Sequence, residues 1–272
     1  MTLLERLGKI KIIEILFHFF FHRLKLRFFV DGFLHLFPLK KRIPESGTFY
    51  RCRYLETIFV ADEFFNRKLY HNGVPENTTT FVDLGCNIGL FIALIVHITK
   101  QRDLRGLAID ANQDMINETN WIIKKNGLKE VYTIHGLVGS QDSNDSEEFY
   151  INPSNLASSK YPIYEPGVPE VKGWKKTIVP KINLEAQWKK HFGNMPCDLL
   201  KIDIEGSEKD FLVPINPFVQ RVEAILIEWH TWIISFKQVK DILYEYGFVL
   251  ENILEDRGVR GVAFFTRMQR NN

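Results

Sequence analysis

The sequence predicts a doubly wound α/β fold, a mostly parallel seven-stranded sheet ending in an antiparallel hairpin, with a helical appendage in front of it. Three observations carry this expectation. From residue 80 onward, short apolar strands alternate with helix-length segments, the pattern of a parallel sheet covered on both faces. The glycine-rich turn Phe81-Val-Asp-Leu-Gly-Cys-Asn-Ile-Gly-Leu90 joins the first of these strands to the first helix. The last two strands, Phe248–Ile253 and Gly261–Thr266, are joined through Glu255-Asp-Arg-Gly258, too short a link for a parallel crossover.

Taken in order, residues 1–45 read as the appendage and 46–272 as the main domain. Within 1–37, Leu3, Leu7, Ile10, Ile13, Phe17, Phe20 and Leu24 recur at helical spacing, interleaved with Arg6, Lys9, Arg23, Lys25 and Arg27. A basic, Phe-rich helix of this kind suits an anionic membrane surface, the main domain, or a second copy of it as in a homodimer. Gly47–Tyr54 reads as a strand and Phe59–Tyr70 as a helix. Thr80–Gly85, Gly106–Asp110 and Val131–His135 follow as strands, with helices over Leu90–Thr99 and Gln113–Lys125 between them. Asn126-Gly127 is a C-cap signal for the second helix. Residues 140–180, rich in Asn, Ser, Pro and Tyr, read as a long excursion with room for a hairpin, and Tyr161, Tyr164 and Trp174 are its candidate acceptor contacts. Asp198–Ile204 and Ala224–Glu228 are the fourth and fifth strands, and a helix over Phe236–Tyr246 precedes the closing pair.

Composition narrows the function classes. The formal net charge of +2 argues against a nucleic-acid binder, although residues 1–42 hold nine Lys/Arg against three Asp/Glu. Three scattered cysteines, Cys52, Cys86 and Cys197, form no zinc or disulfide pattern and suit the reducing cytoplasm. No apolar run reaches the length of a membrane span, and no cleavable leader is evident.

Ligands of doubly wound sheets bind at the carboxyl ends of the strands, so the charged residues there are the candidates. In the D-x-G-x-N-x-G turn, Gly85 and Gly89 let the backbone approach a ligand closely. Asp83 stands where a pyrophosphate would be repelled, and the spacing departs from the dinucleotide G-x-G-x-x-G. Asp110, 25 positions beyond Gly85 at the end of the second strand, suits a ribose diol, whose acceptor usually stands about 20 residues after the loop. Together they point to a nucleoside ligand without a diphosphate, and S-adenosylmethionine fits.

FVDLGCNIGLF, LAIDANQDM, LLKIDIEGSEKDFL and ILIEWH resemble, in order and spacing, the FkbM-type methyltransferases of the class I S-adenosylmethionine-dependent superfamily, over about residues 46–266. The resemblance implies a Rossmann-like methyltransferase that methylates hydroxyls of sugars, glycolipids or related natural products, small-molecule, glycan or lipid-linked. It implies that Asp83, Gly85, Asn87 and Gly89 line the methionine part of the cofactor, Asp110 its ribose, and Gly136-Leu137 its adenine. Cys86 belongs to the same loop and stands where Ala is common. Asn155–Ser159 resembles the family's small-residue segment, whereas Ile182-Asn-Leu184 stands where the family often has Thr-Leu-Asp.

In Leu199-Leu-Lys-Ile-Asp-Ile-Glu-Gly-Ser-Glu208, the alternation of a strand puts Lys201, Asp203 and Glu205 on one face. Lys201 is expected to pair with and orient a carboxylate, since an isolated buried charge is costly, while Asp203 and Glu205 contact cofactor or acceptor. On the fifth strand Glu228 and His230 share a face, and His230 is the expected base because its unperturbed pKa near 6.5 permits proton acceptance at neutral pH. Asp203, Glu228 and His230 could together hold a divalent cation, but lacking a third well-spaced acid no metal is expected. Two rival classes remain at this level: a nicotinamide-dependent oxidoreductase, and a non-catalytic methyltransferase-like binding protein tethered by the N-terminal helix.

Overall fold

Strand alternation decides which side of the sheet carries charge, and the structure bears this out. The structure, a computed structural model, describes residues 26–139, 145–152, 158–160 and 173–268. Helix α1 (Leu26–Leu36) leads into an antiparallel hairpin of β1 (Leu39–Ile43) and β2 (Thr48–Cys52), then α2 (Leu55–Phe65). The expected boundary at 45/46 falls in the turn of that hairpin. Most of the Phe-rich periodicity, Leu3 to Leu24, lies outside the described residues.

The α/β part runs β3 (Thr80–Leu84), α3 (Leu90–Thr99), β4 (Arg105–Asp110), α4 (Gln113–Lys125) and β5 (Glu130–His135). A two-stranded excursion follows, β6 (Ser146–Ile151) paired antiparallel with β7 (Lys175–Pro180). Then come α5 (Leu184–Phe192), β8 (Cys197–Ile202), α6 (Glu208–Leu212), β9 (Val222–His230), α7 (Phe236–Glu245), β10 (Phe248–Asp256) and β11 (Arg260–Arg267). The central sheet has the order β10-β11-β9-β8-β3-β4-β5. It is parallel from β9 through β5, and β11 enters antiparallel to both its neighbours. The fold is the doubly wound, mostly parallel, seven-stranded sheet with a closing hairpin that the sequence predicts.

Each face of the sheet has its own core. On one face Phe81, Leu199 and Leu226 pack with Phe91 and Ile92 of α3. On the other, Val82, Leu200 and Ile225 pack with Trp188 of α5 and Leu243 of α7. Helix α3 is apolar all round, Leu90–Val96 being buried without a break, because it lies between the sheet and the outer β2–α2 layer. Asp83, Lys201 and Glu228 stand two residues beyond Phe81, Leu199 and Leu226 and therefore share the α3 face. Asp83 and Lys201 are partners in the parallel register. Polar groups thus replace apolar ones on a single face, at the carboxyl end of three neighbouring strands.

Helices α3 and α4 occupy the expected residues. Asn112 caps the start of α4 by accepting from the Asp114 N–H at 3.0 Å, and Asn126 closes it ahead of Gly127, whose φ is +70°. Helix α2 starts four residues before the expected Phe59 and ends at Phe65. Asp31 of α1 accepts the Leu55 N–H at 2.7 Å, a cap supplied by another element that the local pattern does not contain. Helix α5 was not anticipated, though Asn183 caps it through the Ala186 N–H at 2.9 Å and Gly193 ends it. Its Leu184, Trp188 and Phe192, four apart, are all buried. Among the described residues no helix is long and apolar enough to cross a membrane. Cys52, Cys86 and Cys197 are buried and unbridged.

Candidate functional site

The turn after β3 is shaped by main-chain bonds. The N–H groups of Gly85 and Cys86 donate to the Ile109 carbonyl of β4 at 2.9 and 3.1 Å. Gly85 has a φ of +72°, and a Cβ there would lie 1.7 Å from the Asp203 carbonyl oxygen. Only glycine lets the β3 loop pass this close to the chain leaving β8. Gly89, at φ +81°, opens α3 over Thr119.

Asp110, at the end of β4, accepts the Asn87 N–H on one oxygen and the Asn112 N–H on the other, both at 2.8 Å. Burial pushes its pKa up to about 6, and these main-chain bonds oppose the shift, so the group is ionised at neutral pH. Fixed in this way, each oxygen keeps acceptor capacity for a ligand diol. Asn87 Oδ1 is buried without a hydrogen-bond partner, so a ligand donor is what would satisfy it.

These groups line a cleft of about 620 Å³, counting its open mouth, together with Met115, Gly136, Leu137 and Asp203. A second, larger cleft of about 1060 Å³ lies on the α3 face, walled by Phe59, Phe64, Tyr70, Phe91, Glu228 and Arg260 among others. Gly85, Asn87, Asp203 and Glu205 line both. The two clefts therefore meet at one end of each.

Of the expected cofactor contacts, Gly85, Asn87, Asp110, Gly136, Leu137 and Asp203 line the first cleft. Asp83, Cys86 and Gly89 do not. Asp83 is fully buried beneath the loop on the α3 face of β3, 3.4 Å from Lys201 Nζ. The Cys86 side chain turns to the Thr119 hydroxyl at 3.5 Å, and Gly89 serves the start of α3.

Lys201, 4% exposed, also lies 3.1 Å from Asp203 Oδ2 and donates to the Gly85 carbonyl at 3.3 Å. Burial opposes its charge, but Asp203 and Asp83 outweigh that and raise its pKa above the ordinary value. Burial raises the Asp83 pKa, and Lys201 opposes that shift. Lys201 is thus paired with two carboxylates, Asp83 and Asp203.

Strand β8 ends at Ile202, so the alternation does not extend to Glu205 as expected. Glu205 instead lies in the following turn at a left-handed φ of +45°, its carbonyl accepting a hydrogen bond from Ser159 Oγ. Its carboxylate lies 3.5 Å from His230 Nε2. On the other side of the imidazole, Nδ1 is 3.0 Å from Glu208 Oε1. Glu208 is fully buried, and its two oxygens accept the Gly206 N–H at 3.2 and 2.9 Å. Glu228 stands 3.9 Å from Nε2, accepts from the Tyr70 hydroxyl at 3.3 Å and meets Arg260 at 3.5 Å.

This arrangement sets the protonation states. Burial alone would lower the His230 pKa, but the bond to Glu208 and the charges of Glu205, Glu208 and Glu228 lift it to about 10. Burial raises Glu205 to about 7, with His230 opposing and Asp203 adding to it. Burial also raises Glu228, to about 8, with Asp203 adding to it and His230 opposing. The expectation of His230 as the base does not fit: it is an imidazolium at neutral pH, 1% exposed, and lines neither cleft. Its sequence position gives the face, shared with Glu228, but not Glu205 and Glu208, which join Glu228 in charging it. Tyr70, Glu208 and Arg260 had no expected role. Glu208 closes the very motif that drew attention to β8, and that proximity was the available signal for it. Among the described residues no cluster suited to a metal ion is found. Asn155, Tyr161 and Tyr164 lie outside the described residues.

A family model described as the methyltransferase FkbM domain matches residues 71–250. Among solved structures, M. capricolum TrmK in complex with S-adenosyl-homocysteine is 14% identical, covering 76% of this chain and 69% of that one, with a TM-score of 0.45. Aeropyrum pernix fibrillarin with natively bound S-adenosyl-L-methionine is 9% identical, covering 85% of this chain and 82% of that one, with a TM-score of 0.46. Likeness of this degree says nothing of what the present chain acts on. No curated protein matches it.

Proposed function

The chain belongs to the FkbM methyltransferase family, and from that premise we propose that it transfers a methyl group from S-adenosylmethionine to a hydroxyl of a sugar, glycolipid or related natural-product acceptor. The observation that supports this reading is the meeting of the two clefts at Gly85, Asn87, Asp203 and Glu205. When bound, S-adenosylmethionine supplies an electrophilic methyl on a sulfonium. Asp110 holds the ribose diol, Gly136 and Leu137 border the adenine, and the Gly85 turn with Asn87 borders the amino-acid end. Asp203, fixed by Lys201, sets negative charge at the junction. Holding two reactants in line at such a junction supplies much of the acceleration of a displacement. The second cleft offers the exposed ring of Phe59 beside carboxylates and two arginines, Arg257 and Arg260, a combination that suits stacking on, and paired hydrogen bonding to, a polyhydroxylated ring.

Three unbridged cysteines favour a reducing compartment, the cytoplasm. Phe33, Leu36 and Phe37 of α1 and its end are exposed beside Lys40 and Lys41, which favours peripheral contact with an anionic membrane and a lipid-linked acceptor. Calorimetry with S-adenosylmethionine and S-adenosylhomocysteine tests the cofactor, and a screen of cell-envelope glycans with labelled methyl donor tests the acceptor. Binding of the donor and label transfer to a glycan are expected. A folded sample that binds neither ligand overturns the reading; binding without transfer to any acceptor leaves a binding protein in its place.

A further inference from the structure

Two ionisable groups line both clefts, Asp203 and Glu205, and their surroundings differ. Lys201 lies 3.1 Å from Asp203 and 3.4 Å from Asp83, and Asp110 is bound at both oxygens by main-chain N–H groups. Glu228 lies deeper in the second cleft, engaged by Tyr70 and Arg260, and does not border the first. Of the two carboxylates placed in both clefts, Asp203 is paired closely by Lys201, whereas Glu205 faces the ring of a neighbour, His230, at 3.5 Å, with no hydrogen bond between them. That neighbour is fixed from behind: Glu208 grips the other imidazole nitrogen at 3.0 Å and is locked by the Gly206 N–H.

Resting on the methyl-transfer reading above, we propose that Glu205 is the group that takes the acceptor hydroxyl's proton, and that the His230 imidazolium, anchored by Glu208, is its positioning residue. In the step, the acceptor's O–H bond breaks and its proton passes to a Glu205 oxygen. The oxygen's electron pair forms the new bond to the methyl carbon, and the carbon–sulfur pair returns to sulfur, neutralising the sulfonium. His230 keeps both its protons throughout, so that Glu205 stays oriented as it changes charge. A carboxyl raised to about 7 is matched to proton acceptance near neutrality, where a positioned base contributes about 10²–10⁴-fold. The backbone of Glu205 is left-handed, uncommon for a residue with a side chain, and its carbonyl is bound by Ser159 Oγ, which places the residue in a turn beyond the end of β8.

The proposal can be tested without the acceptor. A carboxyl that is part-protonated and faces the sulfonium releases a proton when a cation arrives but not when the neutral thioether does. Calorimetry of S-adenosylmethionine and S-adenosylhomocysteine at pH 7, in two buffers of different ionisation enthalpy, reads that release. The wild-type protein is expected to release more protons with the sulfonium than with the thioether. Glu205→Gln is expected to bind both ligands and lose the difference, and Glu228→Gln to retain it. His230→Gln removes the neighbouring positive charge and is expected to move the midpoint of the release to higher pH, a shift that a purely structural histidine would not give. Equal release in Glu205→Gln and wild type, or a difference lost in Glu228→Gln instead, overturns the assignment. Absence of binding by the wild-type protein fails the cofactor reading itself, a distinct result.

Discussion

The two clefts hold their carboxylates by different means. In the first, Asp110 is gripped by main-chain N–H groups only two and twenty-three residues away. In the second, Glu228 is gripped by Tyr70, 158 residues away, and by Arg260, 32 away. The first is therefore built by a turn, and the second by the tertiary fold. A turn tolerates little change in its backbone but needs no distant partner. A side-chain lattice tolerates backbone change but fails when one charge loses its counterpart.

The largest expected effect breaks the lattice at its deepest point. Lys201→Met leaves Asp83 buried without a cation and should cost about 3–5 kcal/mol of stability, read by urea unfolding, while Asp83→Leu added to Lys201→Met should restore much of it. Next comes the turn. Gly85→Ala meets the Asp203 carbonyl, so crowding of about 1–3 kcal/mol adds to about 1–2 kcal/mol for a left-handed alanine; its melting temperature should fall and cofactor binding be lost. Asp110→Ala removes charged hydrogen bonds to the ligand worth about 1.5–3 kcal/mol, so calorimetry should show affinity about 10- to 100-fold weaker, with the melting temperature of the free protein less affected.

The pH dependence of stability separates the clefts further. Glu228 has its folded pKa raised from 4.5 to about 8. Its contribution to stability is thus full below 4.5 and lost as pH rises toward 8. His230, raised from 6.5 to about 10, contributes fully below 6.5 and loses its contribution as pH rises through 10. Unfolding free energy should fall across this range, and Glu228→Gln should flatten the fall between pH 5 and 8. A wild-type protein equally stable at pH 5 and 8 would contradict the lattice. The smallest effect concerns the exposed apolar and basic residues at and after the end of α1. Lys40→Glu with Lys41→Glu should weaken co-sedimentation with anionic vesicles by about fivefold per charge, and unchanged pelleting would remove those lysines from any membrane contact.

The same contrast explains what could be read from the sequence. Leu90–Thr99 and Gln113–Lys125 were legible to the residue because their apolar spacing and caps lie within or next to them. The Gly85 turn and Asp110 were legible because main-chain geometry and ligand approach constrain residue type locally. The start of α2 is hard to read from the chain around it because one of its first N–H groups, that of Leu55, is accepted by Asp31 of another helix. The local cap, Thr57 on the Tyr54 backbone, lacks the usual Ser, Thr, Asp or Asn at the N-cap itself. His230 was read from its unperturbed pKa, and its actual charge depends on Glu208, 22 residues before it, folding back beneath the ring. Lys201 lies between: its need for a partner was evident from burial, but Asp83 as that partner follows only from strand register.

The most direct test of the central claim, that the two clefts meet at the reacting atom, is a crystal structure of the protein with S-adenosylhomocysteine. The account expects the ribose hydroxyls on Asp110 and the sulfur at the junction bordered by Gly85, Asp203 and Glu205, facing the second cleft. A ligand whose sulfur points away from Glu205, or whose ribose leaves Asp110 untouched, would contradict it.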